Sequence, residues 1–272
     1  MVRSTFSPPG RWRPAVVARL ARTLGRTNHI LPMLTLYKSA LAPALLLQGW
    51  RLRKTALRLP EAAGERSGFI SGKDTEPLRL LFIGDSSAAG VGVDWQHEAL
   101  AHQTAEIVAA TSARSVRWEL IAKSGASTRD AIELVKTHAK ERADVVISAL
   151  GVNDVTSQNN ARRFISDYKE LLSVVTQRTG ASAAVISGLP PLHILPAAPQ
   201  PLRWYLGQCA KRLDAALQSF SESHPNTEFV SLAWAKAAEM ARDKFHPGKG
   251  QYKHWASLVA QQVLSVAQRR AA

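Results

Sequence analysis

Short apolar runs and longer amphipathic segments take turns along most of this chain. The runs fall at 78–83 (LRLLFI), 116–122 (VRWELIA), 144–149 (DVVISA), 183–188 and 227–232 (TEFVSL). Runs of this length, bounded by turn residues, read as buried strands. Between them the apolar positions recur at helical spacing. Residues 94–110 predict one helix, with Asp94 as its N-cap. Ser127 and Asp130 open the next in capping-box fashion. Phe164, Tyr168, Leu171, Leu172 and Val175 form one stripe; Leu202, Leu206, Cys209, Leu213, Leu217 and Phe220 form another. Tyr252, Trp255, Val259, Val263 and Val266 make the last. Strand and helix alternate throughout, which predicts an α/β fold: a parallel sheet covered by helices on both faces, a three-layer α/β/α sandwich.

The segment before the first run behaves differently. Residues 60–77 (PEAAGERSGFISGKDTEP) are rich in Gly, Ser, Glu and Pro and read as a linker. The expected division is therefore an N-terminal extension over 1–60, a linker over 61–77 and the main domain over 78–272. Charge sharpens it. The net charge is +14, yet residues 1–60 hold eleven Arg and Lys and no acid, which leaves 24 basic against 21 acidic groups, or +3, for the rest. An acid-free basic head suits an anionic surface. Its longest uncharged apolar stretch, 39–50, is too short to span a bilayer as a helix, and Pro43 interrupts it. It reads either as a helix packed on the body or as an interfacial helix with Trp50 and Arg51, Arg53 and Lys54 at lipid headgroups. Nucleic acid is not the expected partner, because the head lacks aromatic interleaving beyond Trp12 and Trp50. The sole cysteine, Cys209, cannot make an internal disulfide, so the cytoplasm is the default compartment, with peripheral contact at the inner face of the membrane. Cys209 itself reads as a core hydrophobe.

In open parallel sheets, ligands bind beyond the carboxyl ends of the strands. Chemistry-bearing residues crowd there. The first run ends in Gly84-Asp85-Ser86-Ser87. The second leads to Lys123-Ser124-Gly125-Ala126, the third to Gly151-Val152-Asn153-Asp154. After the fifth come Asp243 and His246. Each alone has an ordinary reading: a strand-to-helix turn, a helix cap, a surface hydrogen bond. Together they are the parts acyl transfer requires. A serine needs a base to take its proton, and a histidine needs a carboxylate to fix its tautomer. An oxyanion needs donors already aimed at it, such as a glycine amide or an asparagine side chain.

These four blocks resemble those of the SGNH/GDSL hydrolases, esterases and lipases of bacterial type, over about residues 78–268. The resemblance implies Ser86 as nucleophile, Asp243 and His246 as its partners, and an oxyanion hole from the amides of Ser86 and Gly125 with the side chain of Asn153. It implies a flavodoxin-like sheet of five parallel strands in the order 2-1-3-4-5, with no metal and no organic cofactor. The expected substrate is a small-molecule ester, small or hydrophobic. Carbohydrate deacetylation, acyl transfer and a non-catalytic binding module are the alternatives. The apolar, Pro-rich stretch 189–206 is expected to border the site, with His193, Ile194 and Trp204 as substrate contacts, and Leu195 and Tyr205 as further candidates for an acyl pocket.

Overall fold

A computed structural model describes residues 14–73 and 76–271, and within its helices the side chains of 14–33, 35, 270 and 271 are left aside. Trp12 and most of the basic residues of the head therefore lie outside the described residues and side chains. Two compact units are present, one ending at Leu46 and one running from Leu47 to the C-terminus. The first is helical from Pro14 and belongs to α1 (Pro14–Thr55). No helix among the described residues is long and apolar enough to cross a membrane.

The second unit is built on β2 (Leu78–Gly84), β3 (Val116–Ala122), β4 (Val145–Ala149), β5 (Ala183–Ser187) and β6 (Thr227–Val230). All five apolar runs become strands. They pair in parallel in the spatial order β3-β2-β4-β5-β6, which is the expected 2-1-3-4-5. A sixth strand was not expected. β1 (Ser67–Ile70) pairs antiparallel with β3 at the sheet edge, with Ser67 opposite Glu119 and Ile70 opposite Val116. It comes from the segment read as a linker. Four residues flanked by Gly and Ser carry no periodic signal; the open edge of β3 supplies the hydrogen bonds that order them.

Side-chain alternation divides the core. Leu80, Phe82, Val145, Ile147 and Val185 face one layer, with α2 (Leu100–Ser112) and α7 (Lys249–Ala271) over them. There Ala101, Ala105 and Val108 pack with Tyr252, Trp255, Val259 and Val263. The intervening residues Leu81, Ile83, Val146 and Ile186, also buried, point to the opposite layer of α3 (Thr128–His138), α5 (Ala161–Thr179) and α6 (Leu202–Ser223). The capping box is present: Ser127 and Asp130 bond each other's backbone amide through their side chains. Asp94 caps nothing. α2 starts at Leu100, after a separate 3₁₀ turn at Gln96–Glu98. The reason is Gln96, which turns inward to donate to the carbonyls of Ala62 and Ala89. Cys209 is half-buried on α6, at the margin of the core and not within it.

Candidate active site

β2 delivers its last residue, Gly84, to the carboxyl edge of the sheet. The chain then folds into a tight turn, with the amide of Ala89 donating to Asp85 and that of Val91 to Ser86. The Asp85 carboxylate accepts the Ser87 N–H at 2.9 Å. From α7, the buried Tyr252 hydroxyl shares its proton between the Ser87 and Val91 carbonyls, 2.8 Å from each. Ser86 stands at the half-buried crest of this turn.

The loop after β6 brings Asp243 and His246 to Ser86. Asp243 Oδ1 accepts the backbone N–H groups of Phe245 and His246, each at 3.0 Å. Its Oδ2 lies 2.5 Å from His246 Nδ1, and His246 Nε2 lies 2.8 Å from Ser86 Oγ. With Nδ1 donating to Asp243, Nε2 is left to accept the Ser86 hydroxyl. Burial alone would raise the Asp243 carboxyl, but the His246 ring and the two amides outweigh it, so its pKa sits below the usual value. Gly92 sets the spacing between the two loops. Its φ is +110°, and a Cβ there would lie 2.2 Å from the Pro247 carbonyl oxygen, so no other residue fits without parting them.

The second and third loops complete the rim. Gly125 adopts φ +83° with open space where a side chain would go. Among the described residues, the N–H groups of Ser86 and Gly125 make no hydrogen bond within the chain. Asn153 sits in α4 (Val152–Thr156), whose N-cap is Gly151. Its Nδ2 donates to the Ala126 carbonyl at 3.0 Å and to Asp85 Oδ2 at 3.2 Å, tying the Gly125 loop to the Ser86 turn. The neighbouring Asp154 is wholly buried and does something else. It accepts from Thr128 N and Oγ1 and from Asn159 Nδ2, stapling α4 to the start of α3.

Behind the Ser86 turn lies a cavity of about 60 Å³. Ser87 and Asp85 form its polar end; Leu192, Leu195, Trp234, Met240 and Phe245 form much of its apolar wall. Of the expected pocket residues, Leu195 lines it. His193, Ile194, Trp204 and Tyr205 do not. A 3₁₀ turn at Leu192–Ile194 repeats every three residues, so it aims 192 and 195 inward and 193 and 194 elsewhere. His193 packs on Gly207 of α6 instead, and Trp204 is 39% exposed on the same helix. Trp234 and Met240 come from the β6–α7 connection, upstream of Asp243, and no sequence signal set these two residues apart. Among the described residues, no group of three His, Cys, Asp or Glu side chains is placed to hold a metal ion.

A model of the GDSL-like lipase/acylhydrolase family matches residues 82–254. Among solved structures, the lipase Lip_vut3 from a goat rumen metagenome superposes with a TM-score of 0.54 at 14% identity, covering 70% of this chain and 97% of that one. A family two carbohydrate esterase from Clostridium thermocellum, solved with cellohexaose, gives 0.53 at 17%, covering 71% and 66%. A carbohydrate acetylesterase family member from Sinorhizobium meliloti gives 0.52 at 15%, covering 70% and 98%. At these identities the likeness is one of fold. A search of the curated proteins found no match. The chain belongs to the GDSL-like lipase/acylhydrolase family and is a hydrolase of ester bonds.

Proposed function

We propose that the protein is a serine esterase that cleaves carboxylic esters of short acyl chain through an acyl-enzyme. The carrying observation is the relay from Ser86 Oγ to His246 Nε2 and from His246 Nδ1 to Asp243, at 2.8 and 2.5 Å. In this reading His246 takes the Ser86 proton as Oγ attacks the ester carbonyl. The Ser86 and Gly125 amides and Asn153 Nδ2 hold the oxyanion. As the tetrahedral adduct collapses, His246 returns the proton to the departing alcohol. Water enters, gives its proton to His246, attacks the acyl group, and Ser86 regains its hydrogen as the acid leaves.

Acyl length follows from the cavity. A cavity of this kind needs about 10–15 Å³ to admit one water, so about 60 Å³ admits about four to six waters or an acyl chain of about as many carbons. Hydrolysis of p-nitrophenyl esters from acetate to decanoate tests this. Turnover is expected to peak at about four to six carbons and to vanish in Ser86→Ala; a maximum at octanoate or decanoate sinks the short-chain reading. Acetylated sugars assayed alongside separate a simple esterase from a carbohydrate deacetylase. Failure of a fluorophosphonate to label Ser86 in folded protein places the binding-module alternative first.

Peripheral contact with an anionic membrane, at the cytoplasmic face, belongs to the same proposal. Gln48 on α1 bonds the Gln200 carbonyl and the Leu202 amide. Trp50 is 55% exposed, with Lys54 Nζ 4.2 Å over its ring. Arg51, Arg53 and Arg58 lie close by in sequence, with no acid to offset them. Co-sedimentation with phosphatidylserine vesicles, lost with phosphatidylcholine and weakened by Trp50→Ala, is expected; equal binding to both lipids, or none, rejects it.

A further inference from the structure

Residues 61–66 precede the region matched by the family, yet they touch both loops that carry the proposed backbone oxyanion donors, those of Ser86 and Gly125. Glu61 Oε1 accepts the backbone N–H of Ser124 at 2.7 Å. Glu61 Oε2 pairs with Arg66. Arg66 Nη1 then reaches the carbonyl of Ala122 at 2.8 Å, and the Arg66 carbonyl accepts the Leu120 amide at 2.7 Å. One end of β3 and the loop beyond it are thus gripped at 120, 122 and 124. On the other side, the Ala62 amide donates to the Ala89 carbonyl at 3.1 Å, and Gln96 Nε2 binds the carbonyls of both residues. Ala89 belongs to the turn that carries Ser86.

The Gly125 loop needs such a grip. Lys123, Ser124 and Gly125 are all exposed, and Gly125 has the widest backbone freedom of any residue. The remaining ties are at the loop's ends: Lys123 N to Gly84 O at 3.3 Å, and Ala126 to Lys123 and Asn153. At the tip, Glu61 holds the peptide immediately before the one whose N–H would face the oxyanion. A donor that must first be ordered loses part of its effect to conformational entropy, whereas a held donor does not. The Arg66 guanidinium also balances the Glu61 charge, so the buttress adds no net negative potential beside a developing oxyanion.

We propose that Glu61 and Arg66 are positioning residues that hold the Gly125 amide in place for the oxyanion, acting through the Ser124 amide and the Ala122 carbonyl. The proposal rests on the serine esterase reading above. Its test compares Glu61→Ala, Glu61→Gln and Arg66→Ala with wild type in full-length protein, with p-nitrophenyl acetate as substrate. One oxyanion donor is worth about 10²–10³ in kcat. Loosening one is expected to lower kcat about tenfold in Glu61→Ala with KM within about twofold. Glu61→Gln keeps an acceptor for the Ser124 N–H and is expected to recover most of that loss. Arg66→Ala falls between them. Undiminished kcat in folded Glu61→Ala overturns the proposal, as does an equal loss in Glu61→Gln and Glu61→Ala, or a loss carried wholly by KM. If Glu61→Ala does not fold, Arg66→Ala decides by the same split. The underlying reading is tested separately: wild type unlabelled by fluorophosphonate, or Ser86→Ala with full turnover, refutes the esterase mechanism whatever Glu61 does.

Discussion

The two halves of the site are held in place by different means. The half containing Ser86, His246 and Asp243 is joined side chain to side chain, at 2.8 and 2.5 Å, with its loops braced by the Asp85 and Asp243 carboxylates and the Tyr252 hydroxyl. The half containing Gly125 and Asn153 has no such relay. Its glycine is exposed and held from outside, and both hydrogens of Asn153 Nδ2 already have acceptors in Asp85 and Ala126. The first half is therefore assembled before substrate arrives. In the second, the proposed mechanism has Asn153 turn one hydrogen from an internal acceptor toward the oxyanion, and the bond it gives up lowers that donor's net contribution.

The largest effect should come from the assembled half. Ser86→Ala and His246→Ala are each expected to lower kcat by about 10⁴–10⁶, and the double variant no further, because the two act as one unit. Multiplicative losses, measured on one ester at fixed pH, would break the claim that these residues form a single relay. Asn153→Ala should cost less, about 10²–10³ in kcat with little change in KM. An Asn153→Ala enzyme whose KM rises while kcat holds would place Asn153 in substrate binding. Smaller again is the effect of the cavity wall, which belongs to neither half. Trp234→Ala should widen it and move the preferred acyl chain longer, each added methylene then being worth about tenfold. An unchanged chain-length profile would put the acyl group elsewhere.

How much of this was legible in sequence depends on the range of each interaction. The five parallel strands were readable because burial on both faces writes an apolar run into consecutive residues. Ser86, Gly125, Asn153, Asp243 and His246 stood out because each immediately follows a strand or sits in a short spacing. The Ser127–Asp130 capping box is likewise local. What escaped depends on pairs far apart. Glu61 meets Ser124 across 63 positions, and a Glu in a Gly- and Ser-rich stretch looks like any linker acid. β1 exists because the edge of β3 is open, which no window of four residues encodes. Gln96 broke the expected helix at Asp94 to satisfy two carbonyls that come near only after folding. The cavity lining differs from the expected contacts for a smaller reason: the turn at 192–194 is 3₁₀, and its three-residue repeat selects different side chains from an α-helix or a loop.

The two halves meet at Asp85, which makes it the sharpest probe of the comparison. Its carboxylate takes the Ser87 amide on one oxygen and Asn153 on the other. Burial pushes its pKa from the usual 3.8 up to about 6; the Ser87 amide and His246 pull the other way, and Asp154 adds to the rise. Between those values the folded chain keeps a proton on Asp85 that the unfolded chain has released. Stability from this group is therefore full below about pH 4, falls as pH rises to about 6, and is level above it. At about 1.4 kcal/mol per unit, the loss is at most about 3 kcal/mol. Asp85→Asn cannot titrate, so the difference between its urea-unfolding curve and that of wild type should carry this slope between pH 4 and 6, while other buried acids cancel. Parallel curves would mean that Asp85 ionises as freely as an exposed acid. The carboxamide also turns an N–H₂ toward Asn153, so kcat should fall in Asp85→Asn even at pH 8, where the wild-type carboxylate is fully charged. A variant with the expected stability slope and unchanged kcat would show that the acid is buried beside the oxyanion donor without orienting it, and the two halves would then be joined in structure but independent in chemistry.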